Sequence, residues 1–512
     1  MRLAFFSPFP PKRTGVAAYS RALVDALRET VEVTTFDFDN PDLLANDPSA
    51  VDAAAQPEWL ARLGEWDASV FSLGNNPEFH LPILQALERT GGIVLLHDSV
   101  LYFLLAGLPE GAFYRRFCEE YGIHRSIEID EIKRASVDGN ILRYPFPERY
   151  PFLRSALRRA TGVVVHSRFA ADLVRAAAPG IPVDVVPILS SSLERPPTAI
   201  ARAAELRSSV LKQPGRILFG SFGFLGPTKR LTVVAQAFAQ LPPTADYHFI
   251  VVGDGPSPIP DFEKAGIANR VTHLPYVPDS DFDAWIAATD IVINLRYPSM
   301  GESSATLAHA MGLGRPCIVT NHGSFAEYPD DSVAKIPVGE QEVPVLVDTL
   351  NQLASSPTLR AAIAHRAVDL IQRERSPRAV AKQFRAIIER RICEQAHRSI
   401  IDTRVEPKAT ASIRRQLKSS VLECLPSHLR SPLEEPAESL PAKMSVMLTP
   451  DEVRCAYRIL LERDPHPEIE IPNVINGIGT MRELRNTILG SEEYYNRFGG
   501  PPQPFSKPHN NQ

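Results

Sequence analysis

The sequence predicts an α/β protein built from two doubly wound lobes in tandem, followed by a small all-helical module. Three observations carry that reading. Short apolar runs alternate with amphipathic stretches, the alternation restarts midway, and the texture changes near residue 392. Strands covered on both faces read as continuous apolar runs, and helices between them make the neighbouring strands parallel. The first series is RLAFFS, VEVTTF, ASVFSL, IVLLH, VVVH and VDVVP. From Val16 onward, Tyr19, Leu23 and Leu27 recur every four residues, giving a helix one apolar face. RILFGSF opens the second series, continued by FIVVG, VTHLPYV, IVINL and PCIVT. The joint falls in SSLERPPTAIARAAELRSSV, which places the lobes over residues 1–200 and 201–392.

Residues 393–446 are rich in Pro, Ser and mixed charge and read as a linker with one short helix at most. Order returns at Thr449-Pro450-Asp451-Glu452, a capping box with proline at the first helical position. A second box, Thr480 with Glu483, completes a helical module over 447–500, and 501–512 read as a disordered tail.

Composition excludes several classes. The 512 residues are 44% hydrophobic and 22% charged, enough for large cores and too apolar for a mainly disordered chain. With 55 Lys+Arg against 60 Asp+Glu the net charge is -5, which argues against a nucleic-acid partner. Five cysteines without a CxxC pair give neither a disulfide framework nor a zinc site, and a reducing cytoplasm fits them. The apolar stretch GGIVLLHDSVLYFLLAGL is broken by His97 and Asp98, which are costly in lipid. Prolines in MRLAFFSPFPPKR cut short any signal-peptide core. A soluble protein is expected, at most one that touches a membrane surface.

In stacked α/β lobes, ligands gather at the carboxyl ends of the strands. After the first strand, SPFPPKRTG brings Gly15 to a helix start, where backbone can approach an anion or hydroxyl; a plain turn glycine is the other reading. SFGFLGPTKR sets Gly223, Gly226, Lys229 and Arg230 on a loop leaving a strand. Two adjacent cations there suit a diphosphate, or form a solvated basic pair. In NLRYPSMGESSATLAHAMGLGRP a strand leads to Gly301-Glu302-Ser303-Ser304 and a helix. Ser303 or Ser304 caps that helix, whose N-terminus can receive a phosphate. Glu302 can accept bonds from sugar hydroxyls or merely offset the helix dipole.

The ordered set of the Gly15 loop, FGFLGPTKR, VVGDGP and GE…AMGLGRP…T resembles the GT-B glycosyltransferases of family 4 over about residues 1–392. SLGNNPEFH and VLLHDSVL are similar to a bacterial subgroup of it. The resemblance implies a GT-B fold whose last helix packs back on the first lobe. It implies a retaining enzyme that moves a sugar from a nucleotide diphosphate-sugar donor to a glycan or polyprenyl-linked acceptor, with no cofactor and no metal. Surface-polysaccharide synthesis in the cytoplasm, peripheral to the inner face of the membrane, is the setting it implies. By the same resemblance Lys229 binds the diphosphate, Gly15 faces the transferred sugar, and His97 lies near the reaction centre. Glu302 holds sugar hydroxyls, and Asn75 and Asp98 lie on the acceptor side. Three positions depart from the family. Gly301 occupies the first-acid slot, with Glu302 one residue displaced; His309 occupies the second-acid slot; and Phe224 stands where an arginine precedes the lysine, so that Arg230 is the candidate replacement. These departures leave a catalytically impaired nucleotide-sugar or glycan binder as the alternative.

Other signals carry plainer readings. Asp37-Phe38-Asp39 has the form of a DxD metal motif but follows a strand and reads as its end turn. Asp279, Asp281 and Asp283 read as complements to a helix dipole. His80 and His166 read as strand- or loop-end histidines. In RYPFPERYPFLRSALRRA, aromatics interleave with five arginines, as a membrane-surface or lipid-linked acceptor site requires. A surface helix with Phe152 and Leu153 packed inward accounts for it as well. The segment AYRILLERDP…LRNTILGSEEYYNRF resembles a helical module appended to bacterial surface-polysaccharide enzymes, which implies a protein partner.

Overall fold

The structure, a computed structural model, describes residues 1–122, 126–191, 198–211, 215–275 and 277–404. The helical module, the tail and most of the linker lie outside the described residues. One compact unit comprises Met1–Phe113 and Pro145–Cys393, and a second comprises Tyr114–Tyr144 with residues 394–512. In the second unit the described chain is helical, with Ser126–Ala135 followed by single turns at Val137–Gly139 and Ile141–Arg143.

The first unit holds two sheets in which every strand pair is parallel. The first lobe supplies β1 (Arg2–Phe6), β2 (Glu32–Asp37), β3 (Ala50–Asp52), β4 (Ala68–Leu73), β5 (Gly92–Leu96), β6 (Ala160–Val165) and β7 (Val183–Val185). Among the described residues they run β3-β2-β1-β4-β5-β6-β7. The second lobe supplies β8 (Ile217–Phe222), β9 (Tyr247–Val252), β10 (Val271–Leu274), β11 (Ile291–Asn294), β12 (Cys317–Thr320) and β13 (Ala334–Ile336), in the order β10-β9-β8-β11-β12-β13. This is the GT-B layout of two Rossmann-like lobes. The edge strands β3 and β13 escape sequence analysis; each is three residues long, as is β7, which is legible because its VDVVP run is apolar on both sides of Asp184.

Both orders reverse once, between β1 and β4 and between β8 and β11. Connections leave in opposite directions at such a point, so the loops diverge and open a crevice at the strand ends. The crevice walls are held by dense cores. Phe6 stacks between Phe36 (4.4 Å) and Phe71 (4.6 Å). The helix Gly15–Arg28 starts on a Thr14 side-chain cap and buries Tyr19, Leu23 and Leu27, the spacing read from sequence.

The lobes meet through main chain as well as side chains. Met300 oxygen accepts from the amides of Ser99 (2.9 Å) and Val100 (3.0 Å). The Glu327 carboxylate caps the helix Arg168–Ala177, accepting from the amides of Arg168 (3.0 Å) and Phe169 (2.6 Å). The helix Pro377–Arg404 continues past residue 392, since no Gly or Pro interrupts it before Pro407. It sends Val380, Phe384 and Ile388 into the core, with Phe384 against Phe5 of the first lobe (6.4 Å) and Arg391 bonded to Asp184.

The arginine-aromatic run over 143–160 is a series of single turns and the short helix Leu153–Ala156, not one surface helix. Phe152 and Leu153 are buried, and Phe152 packs on Phe113 (5.4 Å). Since Phe384 joins the two lobes' cores, Phe384→Ala is expected to cost about 3–5 kcal/mol. Urea unfolding of the full chain measures this, and an unchanged midpoint would detach the helix from the stability of the lobes.

Candidate functional site

At the switch point of the second lobe, β8 ends at Phe222 and the chain turns through Gly223 with φ +93°. A Cβ there would lie 3.4 Å from Thr306 Oγ1 and 3.6 Å from Lys229 Nζ, on a backbone that L side chains rarely adopt. The glycine thus lets the strand exit, the lysine and the first turn of the helix Ala305–Gly312 converge. Lys229 closes the single turn Pro227–Lys229, is 2% exposed, and donates to the Phe222 carbonyl. Among the described residues no carboxylate pairs with it. Burial, and then the neighbouring Arg296, hold its pKa well below that of an ordinary lysine. Arg230 turns to Glu342, with Nε 3.1 Å from the carboxylate, and stands over the Tyr297 ring at 5.7 Å.

The β11 exit forms the facing wall. Ser304, not Ser303, caps the helix: its Oγ accepts from the Leu307 amide at 3.1 Å and donates to Asn294 Oδ1 at 3.3 Å. Ser303 is half-buried beside it. Glu302 is bound into its own loop, accepting from the Met300 amide at 2.6 Å, and Arg296 Nε lies 3.9 Å away. Two donors are buried without a partner, Asn294 Nδ2 and Arg296 Nη1. His309, half-buried on the helix, has Nδ1 3.8 Å from Asp283. Gly301, at φ +72°, lies so close to the first lobe that a Cβ would come within 2.5 Å of Ser99 Cβ.

In the first lobe, buried histidines form a directed chain. Val186 oxygen can only accept, so His166 Nδ1 donates to it (3.0 Å) and leaves Nε2 as an acceptor. His97 Nδ1 then donates to His166 Nε2 (3.1 Å), and His97 Nε2 accepts from Ser72 Oγ (2.8 Å). Both ring nitrogens of His97 are therefore engaged, and Tyr19 packs edge-on at 5.1 Å. His80 is not at a strand or loop end but inside the helix Pro77–Thr90, donating from Nδ1 to Ser72 oxygen (3.0 Å). Asp98 accepts from the Asn75 amide (2.9 Å), and Asn75 Oδ1 accepts from the Leu104 amide (3.1 Å). Burial, then the charge of Glu302, push Asp98 up to about 7. Gly15 opens its helix with no atom within 4 Å of where a Cβ would sit.

The structure thus gathers Gly223, Lys229, Glu302 and Ser304 at one switch point and brings the His97–Ser99 loop against it. It turns Arg230 and His309 toward Glu342 and Asp283. Sequence analysis missed Arg296; its signal was a cation placed two residues after a buried strand, in IVINLR. The carboxylate of Asp37 braces its own loop, accepting from Lys12 Nζ (2.7 Å), Asn40 Nδ2 (2.7 Å) and the Phe9 amide (3.0 Å). Asp281 pairs with Arg202 at 3.0 Å. Among the described residues no group of three His, Cys, Asp or Glu is placed to hold a metal ion. Among them, too, no helix is long and apolar enough to cross a membrane.

Residues 216–356, the lobe that carries this cation-lined switch point, match the family described as Glycosyl transferases group 1. The second lobe has a glycosyltransferase pattern. No curated protein matches the chain in sequence. Solved structures share the two-lobed fold. The HepE protein of Anabaena, in complex with UDP-glucose, superposes with a TM-score of 0.53 at 17% identity, over 76% of this chain and 99% of that one. Sucrose-phosphate synthase from Thermosynechococcus elongatus gives 0.54 at 15% identity, over 76% and 98%.

The buried histidines set a pH dependence. Burial lowers His80 and His166 to about 4 and depresses His97 as well. Below about 6.5 the unfolded chain binds protons that the folded chain refuses, so each histidine removes stability on acidification, at most ~1.4 kcal/mol per pH unit. Asp98, with its pKa raised, acts in the opposite sense between about 4 and 7 and offsets one of the three. Stability measured by urea unfolding should therefore fall between pH 7 and pH 5. A constant or rising midpoint would contradict the buried, neutral chain.

Proposed function

We propose that the protein is a retaining, metal-independent glycosyltransferase of family 4. It transfers a hexose from a nucleotide diphosphate-sugar to a glycan or polyprenyl-linked acceptor, in bacterial surface-polysaccharide synthesis. The observation that carries the reading is the uncompensated cation Lys229, buried beside the first turn of the Ser304-capped helix, in the stretch that matches a glycosyltransferase family. The fold it shares with a UDP-glucose complex supports a donor of this class.

Departure of a nucleoside diphosphate concentrates negative charge on the leaving group. A preorganised ammonium and a helix N-terminus stabilise that charge in a site from which water is excluded. Gly223 provides the close approach, and Glu302 takes hydrogen bonds from sugar hydroxyls. His97, with both nitrogens engaged, acts by positioning the loop of Asp98 and Ser99 against the transferred sugar, with Asn75 and Asp98 on the acceptor side. Gly15, in open space, leaves room for the sugar. Arg230 and His309 border the donor site. The enzyme works in the cytoplasm at the inner face of the membrane, and the C-terminal module binds another protein.

A second reading, a nucleotide-sugar binder without turnover, is favoured by His309 and its Asp283 neighbour where the family carries an acid. Turnover of a labelled nucleotide sugar in EDTA decides between them. Release of the nucleoside diphosphate supports the enzyme; binding with no release supports the second reading; loss of release on chelation contradicts metal independence.

Lys229→Ala is expected to lower turnover by ~10²–10³, the scale of one lost transition-state contact. Glu302→Gln should weaken binding of the nucleotide sugar while leaving the free nucleoside diphosphate near wild type. Calorimetry with both ligands checks the division. Equal loss of both would assign Glu302 to the nucleotide or to the fold.

A further inference from the structure

Arg296 stands out among the charged groups that the reading above leaves without a task. Its side chain is 15% exposed, yet Nη1 is wholly buried and meets no acceptor. Its main chain is fixed, the amide donating to Thr320 Oγ1 at 2.9 Å. The only carboxylate near it among the described residues is Glu302, on the Nε side at 3.9 Å and already accepting from the Met300 amide. A buried guanidinium with an unmade bond is costly to keep. A second cation beside it raises that cost, and Arg296 is held beside Lys229: the amide of Tyr297, the next residue, donates to the oxygen of Thr228, the residue before the lysine, at 2.9 Å.

The unmade bonds at this strand end share one polarity. Arg296 Nη1 and Asn294 Nδ2 are both donors, and Lys229 spends one of its three N–H bonds on a carbonyl. A site that awaited a cation would show unpaired acceptors instead. Unpaired donors, two basic side chains and a capped helix N-terminus at one switch point suit an anion with several oxygens. The guanidinium fork matches phosphate oxygens in a way a lone ammonium does not. The other candidates for a second cation are absent or occupied. Position 224 holds a phenylalanine, 75% exposed, and Arg230 is bound to Glu342.

We infer that Arg296 is the second phosphate-binding cation of the donor site and grips the diphosphate together with Lys229. This rests on the reading of the donor as a nucleotide sugar. In this arrangement Lys229 supplies a point charge, and Arg296 fixes the orientation of the phosphates relative to Glu302.

The test is calorimetric binding of UDP, GDP, ADP, CDP and dTDP, and of the corresponding monophosphates, to the full-length wild type, Arg296→Gln and Arg296→Lys. The diphosphate that wild type binds best should bind Arg296→Gln about 10- to 100-fold more weakly, the scale of a charged hydrogen-bonded contact. Its monophosphate should lose less. Arg296→Lys should recover part of the affinity, because it keeps the charge but not the fork. Without ligand, the melting temperature of Arg296→Gln should not fall, since the variant removes a buried donor that the apo fold leaves unbonded, on a side chain that makes only a long contact to Glu302. Wild-type diphosphate affinity in Arg296→Gln would overturn the inference. So would a lowered melting temperature with equal losses for mono- and diphosphate, which would make Arg296 a structural partner of Glu302. If wild type bound none of the diphosphates, the donor reading itself would fail, and the inference with it.

Discussion

A lysine ammonium buried without a carboxylate is the constraint on which the second lobe's strand exits depend. Lys229 reaches its place because Gly223 has no side chain and tolerates φ +93°, and because the turn Pro227–Lys229 folds back on the end of β8. The ammonium is steadied by one carbonyl, and the next cation, Arg296, adds to the strain instead of relieving it. Burial of uncompensated charge is expensive, and a fold keeps such an arrangement where a ligand completes it. The strand order supplies the room: reversal between β8 and β11 parts the loops at the point where these charges emerge.

The first lobe meets that site with a loop supported by buried histidines that are neutral and fixed. The Val186 carbonyl sets the direction of the whole chain through His166, His97 and Ser72, so the histidines act as a scaffold for the loop that follows β5. That loop is joined to the second lobe through Met300 oxygen, in a contact so close that only glycine fits at position 301. Glu327, capping a helix of the opposite lobe, makes a second junction that uses the helix dipole. Main-chain bonds and a capped helix hold the two lobes in register with little reliance on exposed ion pairs, which contribute little.

Much of the fold was legible because parallel strands covered on both faces must be apolar throughout. Every strand of five or more residues stood out in this way, whereas β3 and β13 did not. The helix Pro377–Arg404 was under-read at its end, where composition shifts before helical propensity does. At the site, Lys229, Glu302 and Ser304 were visible as residue types at loop positions. Their environments were not. Nothing in the sequence says that Arg230 faces Glu342, from which it is separated by more than a hundred residues, or that Arg296 Nη1 is buried without an acceptor. Such properties belong to tertiary packing, as does the placement of His80 and His166 around Ser72 and His97. The motif departures at Phe224 and Gly301 lie in the loops that leave β8 and β11, and Arg296 stands in the second of these.

The central claim is that a nucleoside diphosphate completes the charge of the second lobe's switch point. A crystal structure of the full chain with its best-bound nucleoside diphosphate tests this most directly. The account predicts both phosphates at the carboxyl ends of β8 and β11, within hydrogen-bonding distance of Lys229 and Arg296 and beside the Ser304-capped helix. A diphosphate bound elsewhere, with Lys229 still on the Phe222 carbonyl and Arg296 Nη1 still unpaired, would contradict it.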